Sequence, residues 1–260
     1  LRRENSELRR GDAPPSEMLG DSAIFRALRS QLDKVTKSNG RVMLSGPPGC
    51  GKEIAARYIH ANSNRASAPF VSVSSATIEP ERMEEVLFGK ESPEKGLEKG
   101  LLEQANGGVI YFDEVTDMPL GTQSKILRVL VDQSFQRVGG SDKIKVDLRV
   151  ISSTNRDLDL AIQEGRLRQE LFYRLNVVPI AVPSLEERRE DIPLLAEYFI
   201  GELNKTQGLP LRPLADDARA LLQTMVWPGN VRQLKNVIER VLILGESSGP
   251  VTAKELPSLE

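Results

Sequence analysis

The chain has 260 residues, a formal net charge of −2, 39% hydrophobic and 28% charged residues, and one cysteine. That length can bury a full core, as one large domain or two smaller ones, and the charge balance excludes a globally basic nucleic-acid surface but not a local one. One cysteine excludes an internal disulfide framework and suits a reducing compartment such as the cytoplasm; no apolar run reaches the ~18 residues of a membrane helix, and no cleavable leader is visible. The chain begins at Leu1 rather than Met and ends in an irregular stretch, so it reads as the central piece of a longer protein.

Residues 1–10 place Leu1 and Leu8 among charges, which suits either the end of a connecting helix or a solvated tail. Gly11 to Pro15 break it. Asp21 or Ser22 can cap a helix running to about Lys37, with Ile24, Leu28, Leu32 and Val35 on one face. Strands and helices then alternate. Predicted strands cover 41–45, 69–74, 108–112, 147–153 and 176–180, and predicted helices cover 53–60, 80–87 and 120–132. A polar, glycine-containing segment, 90–100, leads into a short helix ending near Ala105. This order implies an α/β fold with a mainly parallel five-stranded sheet and helices on both faces. Beyond Pro183 only helical patterns remain, over 192–206, 215–225 and 231–244, which implies a small all-helical second domain.

The chemistry starts at Gly46-Pro47-Pro48-Gly49-Cys50-Gly51-Lys52-Glu53, which fits the phosphate-loop pattern G-x-x-x-x-G-K between a strand and a helix. Glycines let backbone N–H groups and a helix N-terminus face a polyphosphate, and Lys52 would set its ammonium on the β- and γ-phosphates. The Ser or Thr that normally follows and touches Mg²⁺ is Glu53 here. Cys50 reads as a small filler whose amide matters. An apolar strand then ends in Asp113 and Glu114, suited to holding Mg²⁺ and to accepting a proton from an attacking water. Thr154 and Asn155 end the fourth strand, either as contacts to phosphate or water or, for Asn155, as a helix cap. Arg168 and Arg174, six apart, suit a phosphoryl group or else a pair of surface ion pairs. Arg232, in the first turn of the last helix, opposes the helix dipole unless an anion lies near. His60 reads as a surface or packing residue, Trp227 as an anchor of its helical turn, and 186–191 as a solvated domain junction.

Together these motifs resemble the AAA+ domain of the NtrC family of sigma-54-dependent regulators, over about Leu19 to Leu244. The segments that carry it are Gly46–Glu53, Asp113-Glu114, Phe135–Gly140, Ser153–Asn155, Leu171–Asn176 and Trp227–Arg232. The resemblance implies an AAA+ P-loop NTPase fold with a helical lid, ATP or ADP bound with Mg²⁺, and ATP hydrolysis between subunits of a dimer or hexameric ring. It implies that Gly46 to Glu53 bind nucleotide, that Asp113 serves the metal and that Glu114 serves the water. Thr154-Asn155 would be a first sensor, Arg168 and Arg174 fingers acting in trans, and Arg232 a second sensor on the lid. The implied organisation is a linker from a receiver domain (1–18), the nucleotide-binding subdomain (19–184), the lid (185–247) and a linker to a DNA reader (248–260). Those further domains would bring a sensor kinase and promoter DNA as partners.

Two departures shape the expected role. The family's sigma-contacting Gly-Ala-Phe-Thr-Gly-Ala loop is absent, and Phe88-Gly89 is followed by a charged 90–100 segment. Ser74 stands where the family usually has an Asn that restrains the catalytic glutamate. Members lacking that loop resemble the NtrX branch of nitrogen-related response regulators. The expectation is an ATP-binding, ATP-hydrolysing regulatory module acting without sigma-54; the alternative is a sigma-54-dependent ATPase that remodels RNA polymerase.

Overall fold

The computed structural model describes residues 18–94, 96–245 and 248–257, so the expected linker helix at 1–10 lies outside the described residues. The chain divides into two compact units: residues 31–45 and 52–181 make up one, and residues 18–30, 46–51 and 182 onward the other. Helix α1 (Ala23–Thr36) begins in the second unit and ends in the first.

The first unit is built on a five-stranded sheet. Its elements, in chain order, are β1 (Val42–Ser45), α2 (Lys52–Ala61), β2 (Phe70–Ser74), α3 (Met83–Phe88), β3 (Lys90–Ser92), β4 (Gly96–Glu98), α4 (Leu101–Gln104), β5 (Val109–Asp113), α5 (Leu120–Asp132), β6 (Ser134–Phe135), β7 (Ile144–Lys145), β8 (Arg149–Thr154), α6 (Leu158–Gln163), α7 (Gln169–Leu175) and β9 (Val178–Ala181). The large sheet runs β2-β5-β8-β1-β9 and every pairing in it is parallel. Helical crossovers cover such a sheet on both faces, so its central strands are buried along their length rather than on alternate residues. All six residues of β8 are buried, and so are the first four of β5. The core packs Met43, Val73, Ile110, Phe112 and Val150 of the strands against residues such as Ile126, Leu130, Leu171 and Leu175 of the helices. Because the strands are parallel, Ser45, Ser74, Asp113 and Thr154 all end at one edge, with Ser45 opposite Thr154 and Ser74 opposite Asp113. Open sheets of this kind bind ligands at that edge.

Two antiparallel hairpins, β3–β4 and β6–β7, extend from this unit. The polar, glycine-containing 90–100 segment, to which the sequence assigned no strand, thus contributes β3 and β4. Its support is non-local: Glu91 N–H donates to the Val138 carbonyl and Val138 N–H to the Gly89 carbonyl, each at 2.9 Å. Arg137 adds a two-pronged bond to Glu103, at 2.7 and 2.9 Å. A Cβ at Gly139 would come within 2.6 Å of the Glu91 carbonyl oxygen, so the glycine permits this close approach.

The second unit packs α8 (Ile192–Gln207), α9 (Asp216–Thr224) and α10 (Asn230–Leu244) around a core that includes Leu195, Phe199, Leu222, Trp227, Leu234 and Ile238. Trp227 is buried, and its indole N–H donates to the Leu222 carbonyl at 2.9 Å. Two expectations are corrected in this unit. On α1, Phe25 rather than Ile24 joins Leu28, Leu32 and Val35 in the interior; Ile24 is 40% exposed. The 186–191 run is not a solvated junction throughout, because Arg188 and Asp191 are buried. Asp191 accepts from the N–H groups of Asp21 (2.8 Å) and Ser22 (2.9 Å), from Ser22 Oγ (2.6 Å) and from Arg188 Nε (3.0 Å). Arg188 lies 3.6 Å from the Phe25 ring centroid and donates to the Leu19 carbonyl. A buried charge persists only when paired and bonded, and no charge pattern within 186–191 could reveal partners some 165 residues away.

Candidate functional site

The loop residues 46–51 belong to the second unit, and Lys52 with the carboxylates belongs to the first. Within the loop, Cys50 N–H donates to the Pro47 carbonyl at 3.3 Å. Gly49 (φ 77°) and Gly51 (φ 108°) hold backbone conformations that side chains resist. A Cβ at Gly49 would collide with the Gly229 carbonyl, whereas at Gly51 it would meet nothing within 4 Å. The loop is thus pressed against the start of α10 on one side and open at Gly51. Asn230 Nδ2 donates to the Pro48 carbonyl at 3.0 Å, and Arg232 N–H to the Gly49 carbonyl at 3.3 Å. These contacts put Arg232, exposed in the first turn of α10, beside the loop. Gly46 packs with no room for a side chain, since a Cβ would lie 2.6 Å from the Val182 carbonyl oxygen and 2.8 Å from Cys50 Sγ.

Lys52 opens α2 and is 9% exposed. Glu53 follows on the outside of the helix and pairs with Arg57 at 2.9 Å, one turn on. An acid in the first turn also suits the helix dipole. His60 packs against Phe70 and bonds the Ala68 carbonyl through Nε2 at 2.8 Å.

At the carboxyl edge of the sheet the carboxylates are held by hydroxyls. Ser153 Oγ accepts from Tyr111 Oη (2.8 Å) and donates to Asp113 Oδ1 (3.0 Å). Glu114, at φ 54° and ψ 67°, takes a left-handed conformation that is rare outside glycine. Its Oε1 accepts from Thr116 Oγ1 (2.5 Å) and Thr154 Oγ1 (2.7 Å), and its Oε2 from Asn155 N–H (2.8 Å). The restraint on Glu114 therefore comes from its own turn and from β8; Ser74 makes no bond to it among the described residues. Asn155 does not cap α6, because Asp157 does so, accepting from Leu160 N–H at 2.9 Å.

Arg168 stands just before α7 and Arg174 in its last turn; both are exposed. Neither joins an ion pair among the described residues. Arg168 Nε donates to the Leu120 carbonyl (3.0 Å), and the Arg174 carbonyl accepts from Arg41 (3.3 Å). Burial and the like charge of Arg174 push the Arg41 guanidinium below its ordinary range. Three residues of these networks carried no individual signal in the sequence: Thr116, Tyr111 and Asn230. Thr116 stands two residues beyond the carboxylate it holds, and Asn230 was visible only inside the Trp-Pro-Gly-Asn segment.

Among the described residues there is no cluster of three or more His, Cys, Asp or Glu that could cage a metal. One oriented Asp113 carboxylate with Glu114 beside it fits Mg²⁺, which keeps most of its waters and takes one or two carboxylates plus phosphate oxygens. No helix among the described residues is long and apolar enough to cross a membrane.

Residues 18–181 match the family model described as "Sigma-54 interaction domain", and residues 186–259 match "AAA+ ATPase lid domain". The chain is 50% identical to the nitrogen assimilation regulatory protein NtrX of Azorhizobium caulinodans over 99% of its length and 57% of that protein's. Crystal structures of NtrX from Brucella abortus are similar, at 50% identity and a TM-score of 0.88. One, in complex with ADP, is matched over 99% of this chain and 59% of its own; another, in complex with ATP, over 98% and 60%. The chain thus spans little more than half the length of these relatives.

Proposed function

The chain belongs to the sigma-54 interaction domain family and carries an AAA+ lid, and on that premise we propose that it is the ATP-binding, ATP-hydrolysing central domain of a nitrogen-related response regulator. The reading takes residues 19–184 as the nucleotide-binding subdomain and 185–247 as the lid. Residues 1–18 and 248–260 serve as links to receiver and DNA-binding domains. Those domains would supply the sensor kinase and the promoter contact.

The observation that carries it is the Asp113–Glu114 pair at the carboxyl edge of β5, each carboxylate oriented by hydroxyls from β8. In this reading residues 46–51 wrap the phosphates with their N–H groups and Lys52 neutralises the β- and γ-phosphates. Asp113 holds Mg²⁺, whose charge offsets that of the phosphates when bound. Glu114 takes a proton from water, and Asn155 and Arg232 contact the nucleotide. Arg168 and Arg174, exposed and outside any described ion pair, act on a neighbouring subunit's phosphates, as positioned guanidinium groups do in phosphoryl transfer.

The 90–100 segment supports a role without sigma-54 remodelling. Its strand β3 pairs with β4 and is fastened to Val138 by backbone bonds, and the segment lacks the Gly-Ala-Phe-Thr-Gly-Ala sequence. The test is phosphate release by the chain and by Glu114→Gln across a concentration series, with and without Mg²⁺ and with mass measured in parallel. Turnover that rises with assembly and vanishes in Glu114→Gln is expected. Equal turnover in both chains would remove Glu114 as base, and transcription from a sigma-54 promoter driven by this domain would favour the remodelling alternative.

A further inference from the structure

A glutamate does not hold its own oxygens in place. The terminal torsion of the side chain is broad and roughly twofold, so the two oxygens exchange unless something outside fixes them. Glu114 is held on three sides. Its backbone is already committed to a left-handed turn at the head of the short 3₁₀ segment Val115–Asp117. Its Oε1 accepts two hydroxyls, from Thr116 at 2.5 Å and Thr154 at 2.7 Å, while Oε2 accepts one N–H, from Asn155 at 2.8 Å.

A carboxylate offers about four acceptor positions, two on each oxygen. Oε1 is therefore filled and Oε2 keeps one position open. Thr154 Oγ1 also accepts from Arg156 N–H at 3.0 Å, which directs its proton toward Glu114. Thr116 is 4% exposed and lies on the same turn as Glu114, so its hydroxyl reaches the carboxylate from that turn while Thr154 reaches it from β8.

We propose that Thr116 is a positioning residue for ATP hydrolysis: by filling Oε1 together with Thr154, it presents Oε2 of Glu114 as the oxygen that accepts the proton of the attacking water. The inference rests on the hydrolysis reading above and adds a residue that touches neither nucleotide nor metal. In the step itself, a water O–H bond breaks, its proton goes to Oε2, and the water oxygen bonds to the γ-phosphorus as the bond to the bridging oxygen breaks. Thr116 neither gives nor takes a proton.

The experiment compares Thr116→Val, which keeps the shape and loses the hydroxyl, with Thr116→Ser, which keeps the hydroxyl. Loss of one bond to a charged oxygen is expected to lower kcat about tenfold in Thr116→Val, with KM for ATP within about twofold; Thr116→Ser should restore kcat. In a Glu114→Gln background, Thr116→Val should have no further effect, because the two act through one group. A readout without nucleotide is hydrogen exchange of the Asn155 amide, which should speed up in Thr116→Val and not in Thr116→Ser. If the unmodified chain turns over and Thr116→Val matches it in kcat and exchange, the positioning role is overturned. An equal loss in the Val and Ser variants overturns it too. If the unmodified chain releases no phosphate at any concentration, the hydrolysis reading falls and the catalytic role of Thr116 falls with it, while Asn155 exchange still reports whether the hydroxyl holds the carboxylate.

Discussion

Asn230 ties the 46–51 loop to the start of α10 within the second unit, and its replacement by Ala should cost about 3–5 kcal/mol of stability. Three losses make up that figure. Oδ1 of Asn230 accepts the Leu185 N–H at 2.7 Å, and Leu185 is fully buried, so the orphaned donor costs roughly 1–3 kcal/mol. Nδ2 donates to the Pro48 carbonyl at 3.0 Å; Pro48 is exposed and water can replace the bond, so this loss is about 1 kcal/mol. The backbone of Asn230 sits at φ 49°, where asparagine is tolerated and alanine costs about 1 kcal/mol more. Asn230→Gly removes the same bonds but not the backbone fit, so it should be about 1 kcal/mol milder than Asn230→Ala. Urea unfolding followed by the fluorescence of Trp227, the lone tryptophan and itself in this unit, measures both variants against the unmodified chain. A loss below about 1 kcal/mol, or no gap between Ala and Gly, would refute this accounting.

Acid should loosen the same unit. Burial by itself would raise the Asp191 carboxyl, but the bonds from Ser22 and Asp21 and the charge of Arg188 outweigh it and hold the group below its usual 3.8. A depressed carboxyl adds stability that is complete above 3.8 and is lost as pH falls below it toward the folded value. Thermal unfolding followed by Trp227 fluorescence should therefore fall steeply below about pH 4, and Asp191→Asn should be weaker at neutral pH with a shallower acid slope; identical slopes would contradict this. The β3–β4 hairpin should loosen in Arg137→Met, because that change leaves the 9%-exposed Glu103 carboxylate without its two-pronged partner. We expect a loss of about 2 kcal/mol and faster hydrogen exchange across 89–98. Unchanged exchange there would mean that the backbone bonds to Val138 suffice.

Much of this protein could be read from local sequence, because local physics decides it. The apolar runs at 42–44 and 109–112 are strands in any α/β setting, and glycines at 46, 49 and 51 are required wherever the backbone must turn sharply and approach another group. Asp113 and Glu114 drew attention by standing at the end of such a strand. What the sequence could not decide are the partners that come from far along the chain. The hydroxyls of Ser153 and Thr154 meet Asp113 and Glu114 across 40 residues, and Asp191 meets Ser22 across 169. The 90–100 segment becomes a hairpin because Val138 supplies its backbone bonds. Hydrogen-bond satisfaction of buried polar groups is a property of the packed whole, so only the tertiary structure turned two acids at a strand end into a carboxylate with one oxygen filled and the other open.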